Sequence, residues 1–269
     1  MAPIVLHQDR LSTGRASFRL ERTLRVPSEG GPYPLPPTFG PFPIRRLRGH
    51  TATYFVGLHP WEALWFAFEA AAWKPNALQV FSGGVNVLTG DTSGPVLSER
   101  PQNYLVVPDQ PWLDGFKTDT GIVNQFVAAP LGLGKTVEEQ LGQNPELSGL
   151  QIRVIEPKAG RFPARAPRGF NSLESYQEGV VGLAAGGKIE QKIYPDSYGL
   201  ETWDEKNDRS LRLLLLDGAG FHNLTGESLP DSPISAADYN RMGLPWFRLH
   251  DQLKLDIEAT PALKSIAKL

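Results

Sequence analysis

Residues 129–136 read Ala-Pro-Leu-Gly-Leu-Gly-Lys-Thr. A phosphate-binding loop needs backbone amides pointing inward, a lysine to reach the phosphates and a Ser/Thr hydroxyl for Mg²⁺. Gly134, Lys135 and Thr136 supply these at the right spacing, with Ala129 where the first glycine would stand. Asp217 closes the apolar run LRLLLL, as a second Mg²⁺-associated carboxylate would. Three features oppose nucleotide binding. The helix that Thr136 could open is at most TVEEQLG before Gln143-Asn144-Pro145, and Glu138 and Glu139 stand in its first turn, beside the phosphates. The chain also lacks the strand–helix alternation of a parallel sheet. The competing reading is a glycine-rich turn joining two antiparallel strands, with Lys135 exposed and Asp217-Gly218 forming a second turn.

A second chemistry comes from carboxylates. Asp109, Asp114 and Asp119 are evenly spaced through a turn-rich stretch, and Glu138, Glu139 or Glu62 could complete an acid–base pair. Asp in such a stretch is otherwise a turn former. Trp112 and Trp246, each after a proline, are candidate ligand contacts. The five histidines (His7, His50, His59, His222, His250) show no zinc-type spacing, and there is no cysteine, so no metal and no cofactor is expected. GxSxG and GxGxxG are absent, and the run 182–187 (GLAAGG) reads as a turn before a strand.

The elements that must position these groups are mostly strands. Gly and Pro number 27 and 24 of 269 residues, normal for many strands and turns. Strands are expected at 16–26, 103–107, 121–128, 149–155, 187–194 and 210–216, and 61–69 with ALQVFSG as a hairpin. Tryptophans 61 and 65 read as core. The Pro-rich stretch 27–43 should be an ordered extended segment packed by Tyr33, Leu35, Phe39 and Phe42. Short helices are expected at 136–142, 235–241 and 261–268, the last with Thr260 as cap and Pro261 in first position. The fold class is thus β-rich (mainly β or α+β), with antiparallel sandwich- or barrel-like sheets and a few short helices. The domain reading is one unit over 1–269, with two similar halves, about 15–155 and 156–269, as the alternative. NVLTGDTSGP (86–95) resembles HNLTGESLPD (222–231), and each precedes a Tyr and a Pro-Trp pair.

Net charge is −2 and pI about 6.2, which points to no polyanionic partner. Arg45, Arg46 and Arg48 form a cluster too small for a nucleic-acid footprint. The N-terminus does not read as a secretory signal, and no stretch reaches membrane-span length, so a soluble, cytoplasmic protein is expected.

The stretches NYLV, PDQPWLDGF, QFVAAPLGLGKTVEEQL, GLQIRVIEPK, GLAAGGKIEQKIYPDSYGLETWD, GLPWF and LKSIAKL resemble a family of uncharacterised bacterial proteins with fungal relatives. The resemblance covers most of the chain and implies no activity and no catalytic residue. It implies that a lysine at position 135 is dispensable, and that this chain is shorter than its relatives between Pro43 and His59. The leading functional expectation is a non-catalytic binding, assembly or scaffold protein that forms a homo-oligomer or meets a protein partner. A carboxylate-dependent hydrolase and a nucleotide-binding protein are the alternatives.

Overall fold

A computed structural model describes residues 4–13, 15–142, 144, 147–163, 182–231, 235–243 and 255–269. Along these residues run β1 (Val5–His7), β2 (Arg10–Ser12), β3 (Ala16–Thr23), β4 (Thr38–Pro41), β5 (Arg45–Arg46), β6 (Thr53–Gly57), β7 (Ala63–Ala70) and β8 (Asn76–Ser82). There follow β9 (Val85–Asn86), β10 (Leu105–Val107), β11 (Trp112–Leu113), β12 (Gly115–Asp119), β13 (Ile122–Ala129), α1 (Val137–Gln140) and β14 (Leu150–Ile155). The last are β15 (Gly182–Glu190), β16 (Arg209–Leu216), α2 (Gly218–Thr225), α3 (Ala236–Arg241) and α4 (Pro261–Lys264).

Among the described residues these strands make two sheets. One has nine strands in the order β1-β2-β3-β7-β13-β12, with β4 on β3, β11 on β7 and β15 on β13. The other has seven, ordered β10-β8-β14-β16-β6-β5, with β9 on β8. The β16–β6 pair is parallel, so the second sheet is mixed rather than antiparallel throughout. The fold is therefore mixed α+β, mostly strands with a few short helices. Alternation in β3 turns Ala16, Phe18 and Leu20 inward. Phe18, Leu20, Phe66 and Phe126 of the first sheet share one apolar cluster with Leu78, Val80, Ile152 and Leu213 of the second. No helix among the described residues is long and apolar enough to cross a membrane.

Several expectations are corrected. Residues 61–69 and ALQVFSG are not a hairpin: β7 lies in the nine-stranded sheet and β8 in the seven-stranded one, so the turn between them crosses from layer to layer. Trp61 is 37% exposed at φ 69, with Arg25 over its ring, and Phe39 is also exposed on the edge strand β4. The run 182–187 is not a turn but the buried start of β15, paired to β13. Its glycines serve close approach: a Cβ at Gly187 would stand 2.0 Å from the Pro27 carbonyl oxygen, so only glycine admits the Pro-rich segment there. Helix α2 was unexpected, and α4 is shorter than 261–268. The two LTG stretches occupy different elements. Thr89-Gly90 follows β9 in a turn, and Thr225-Gly226 ends α2; the shared feature is a glycine in the left-handed region, at φ 73 and 76.

Buried amide side chains hold the irregular segments. Gln125 accepts from the Val26 amide (2.9 Å) and donates to the Leu24 carbonyl (2.7 Å). Gln110 does the same to residues 194 and 192, and Gln102 to residues 196 and 194. Each glutamine thus offers an extended segment one donor and one acceptor, as a neighbouring strand would.

Candidate functional site

The glycine-rich loop after β13 leads not to an antiparallel partner but, through α1, to β14 in the other sheet. Thr136 caps α1, accepting from the Glu139 amide (3.2 Å), and Glu139 reaches back to the Thr136 amide (3.1 Å), a reciprocal capping box. The Glu139 carboxylate also accepts from the Gly132 amide (2.6 Å), the Gly134 amide (3.2 Å) and the Thr136 hydroxyl (2.7 Å). The donors that a phosphate would need are thus taken by a carboxylate of the same chain. Desolvation alone would raise the Glu139 carboxyl; the hydrogen bonds from Thr136, Gly132 and Gly134 outweigh it and hold it below its ordinary value. Lys135 is exposed. Asp217-Gly218 is not a turn here: Asp217 caps α2, accepting from the Gly220 amide at 2.8 Å.

Glu138, one residue earlier, has the opposite surroundings. Its side chain is wedged between layers: a Cβ at Gly182 would lie 2.2 Å from its Oε1, and one at Gly83 2.3 Å from its Oε2. Oε1 has no hydrogen-bond partner among the described residues. Desolvation, helped by the Glu139 charge, pushes Glu138 up to about 7 against the Gly149 amide and Arg212.

The candidate aspartates are scattered. Asp114 is buried at the start of β12, with neither carboxyl oxygen in a well-formed hydrogen bond; desolvation raises it to about 8, and the nearby Trp112 indole offsets this only in part. The Trp112 backbone carbonyl accepts from the Gln110 and Gln191 side chains (3.1 and 3.2 Å). Asp119 is exposed, and its carboxylate accepts from the Thr120 amide (2.9 Å). Glu62 is buried against the Arg22 guanidinium and accepts from the His59 amide (3.0 Å); the His59 ring instead meets the Pro230 carbonyl (2.8 Å), so no ring–carboxylate dyad forms. Trp246, His250, Ser172 and Ser175 lie outside the described residues.

Two constellations were missed in the sequence. Asp109 shares a hydrogen bond with the Tyr198 side chain and feels the charge of Asp196, which adds to desolvation in raising it. Asp196 is fixed by the Tyr104 hydroxyl (2.6 Å), the Trp203 indole (2.8 Å) and the Tyr198 amide (2.8 Å). The second is Lys117, fully buried on β12 and paired to Asp256, whose carboxylate also accepts from the Gly121 and Ile193 amides. Burial lowers Lys117, and Asp256 partly restores it. Neither pair has a local sequence spacing that could reveal it: 87 residues separate Asp109 from Asp196, and 139 separate Lys117 from Asp256. Among the described residues no group of three or more His, Asp or Glu could hold a metal ion. In comparisons with known proteins, no family model, no curated protein and no solved structure matches this chain.

Proposed function

We propose that the chain is a non-catalytic binding protein acting as one unit over residues 1–269. The observation that carries this is the Glu139 carboxylate seated in the glycine-rich loop, which leaves the sharpest catalytic-looking motif without room for a phosphate. The different surroundings of Asp114 beside β12, Glu138 between the sheets and Glu139 in the loop support it further. Strands β15 and β16 complete sheets begun before residue 130, which favours one unit over two halves. Mg-ATP and Mg-GTP should leave the melting temperature unchanged, since a ligand at 100 times its Kd would add about 2.7 kcal/mol. Chromogenic ester, glycoside and phosphomonoester substrates should not turn over.

One observation favours a second reading, carboxylate-dependent hydrolysis. Asp109 carries a raised carboxyl beside the anchored carboxylate Asp196, an arrangement in which one group could donate a proton while the other stabilises charge. Turnover of any chromogenic substrate that D109N abolishes would replace the first reading with this one.

A further inference from the structure

Residues 30–61 contain three arginines and two histidines and no Asp or Glu. Part of this stretch is the turn between β5 and β6. The His50 amide donates to the Leu47 carbonyl (3.3 Å), and Gly49 takes the left-handed position at φ 80 that such a tight turn requires. The Leu47 amide donates to the Thr53 carbonyl (3.0 Å), which ties the turn to β6. The turn borders an open, solvent-facing concavity of about 370 Å³ lined by Arg46, Leu47, Arg48, Gly49, His50 and Thr51.

The charges around it are unequally used. Arg45 faces Asp9 (3.9 Å) and Glu227 (3.7 Å). Arg46 donates only to the Thr51 carbonyl, at 3.4 Å. Among the described residues the Arg48 guanidinium, the His50 ring and the Arg48 and Gly49 amides have no hydrogen-bond or ion-pair partner. The residues lining the concavity thus include two arginines and a histidine and, among the described residues, no Asp or Glu.

We propose that this turn binds a small dianionic ligand of the phosphomonoester class, gripped by Arg46 and Arg48 with His50 closing the third side. The proposal rests on the reading of the chain as a binding protein and names its ligand. A guanidinium fork pairs with two oxygens of a carboxylate or of a phosphate; a phosphomonoester, with three terminal oxygens and close to two charges, can engage two forks at once, which a single carboxylate cannot. The volume falls in the range of small-molecule sites. Two arginines and one histidine are far fewer than the run of phosphate contacts that sustains nucleic-acid binding.

The test is an amide-resolved NMR titration of the full chain with inorganic phosphate and with phenyl phosphate, acetate serving as the monoanion control. Shifts should centre on residues 46–51 for both phosphates, and acetate should bind more weakly. R48A and R46A, both at exposed positions, should each weaken phenyl phosphate about tenfold, the size of one charge-assisted hydrogen bond, without altering the rest of the spectrum. No shift at 46–51, equal response to acetate, or undiminished binding by R46A/R48A overturns the site. Retention on anionic vesicles or on a DNA oligonucleotide, with no response to phenyl phosphate, overturns the ligand class. If the turn is silent and chromogenic substrates stay inert, the site fails while the non-catalytic reading stands. If a substrate turns over while the turn responds to phosphate, that reading fails and the site stands.

Discussion

The loop after β13 and the turn between β5 and β6 both gather donors for negative charge, and they differ in whether the charge is already present. In the first, Gly132, Gly134 and Thr136 converge on Glu139 seven residues or fewer away. In the second, Arg46, Arg48 and His50 surround open space. The first fits a familiar motif and is closed; the second fits none and is open. A motif specifies donors at a spacing. It does not specify vacancy, because one glutamate at the right helical position turns an anion cradle into a self-capped helix start. Glu138 and Glu139 make the same point over a single residue: Glu139 points out to donors that lower its carboxyl, and Glu138 points between the sheets, where burial raises its carboxyl to about 7.

If internal charge in this chain is closed by design of the fold, the largest loss should come from opening the deepest pair. D256A leaves Lys117 buried without its counter-ion and frees the Gly121 and Ile193 amides. It should cost about 3–5 kcal/mol in urea unfolding, and the double variant K117M/D256A should recover a substantial part, since removing both charges removes the stranded one. A loss under about 1 kcal/mol would mean that the pair is not structurally needed, and the contrast with the open turn would lose its basis.

The next effect is pH dependence. Asp114 and Glu138 have folded values of about 8 and about 7, against 3.8 and 4.5 when unperturbed. A raised carboxyl means that the folded state binds a proton the unfolded state has released. The stability it contributes is complete below about pH 4 and is lost as pH rises through 7 to 8. Asp9, raised to about 6 chiefly by desolvation, acts in the same sense. Urea melts at pH 5, 6, 7 and 8 should show stability falling with pH, by up to about 1.4 kcal/mol per pH unit for each group in its window. D114N and E138Q should each flatten the profile. A profile that rises from pH 5 to 8 would show these carboxyls ionised and paired, contrary to their surroundings.

What the sequence displayed was whatever depends on near neighbours. The strand at 122–129 came through because its apolar residues run together between Gly121 and Pro130. The helix starts at Thr136 and Thr260 came through because a hydroxyl, an acid or a proline at fixed offsets marks a helix start, although the Thr260 hydroxyl makes no capping hydrogen bond and donates to the Thr89 carbonyl instead. The first part of β15, 182–186, was hidden because its close packing against Glu138 and Val127 demands glycine and alanine, which carry no strand propensity, while 187–190 fell within the strand expected at 187–194. The layer change between β7 and β8 was hidden because a turn sequence fixes a reversal but not which sheet receives the next strand. The candidate residues fared alike: Asp217 and Thr136 were visible as polar groups at element ends, while the partners of Asp109 and Lys117 come from remote stretches, where spacing holds no information.

The smallest effects bear most directly on the two loops, and they are best measured side by side. E139A removes the acceptor of three amides and of the Thr136 hydroxyl, and undoes one half of the capping box. Gly132 and Gly134 are exposed and water can replace the carboxylate there, whereas Thr136 is buried, so the cost should be about 1–2 kcal/mol, the scale of a lost helix cap. R48A removes a side chain with no partner among the described residues and should change stability by less than about 0.5 kcal/mol. Urea melts of both variants at pH 7 would decide the matter. A difference of this size and direction means that the first loop uses its anion to fold and that Arg48 is not needed for folding. If R48A costs as much as E139A, Arg48 has a structural partner after all, and the turn is as closed as the loop.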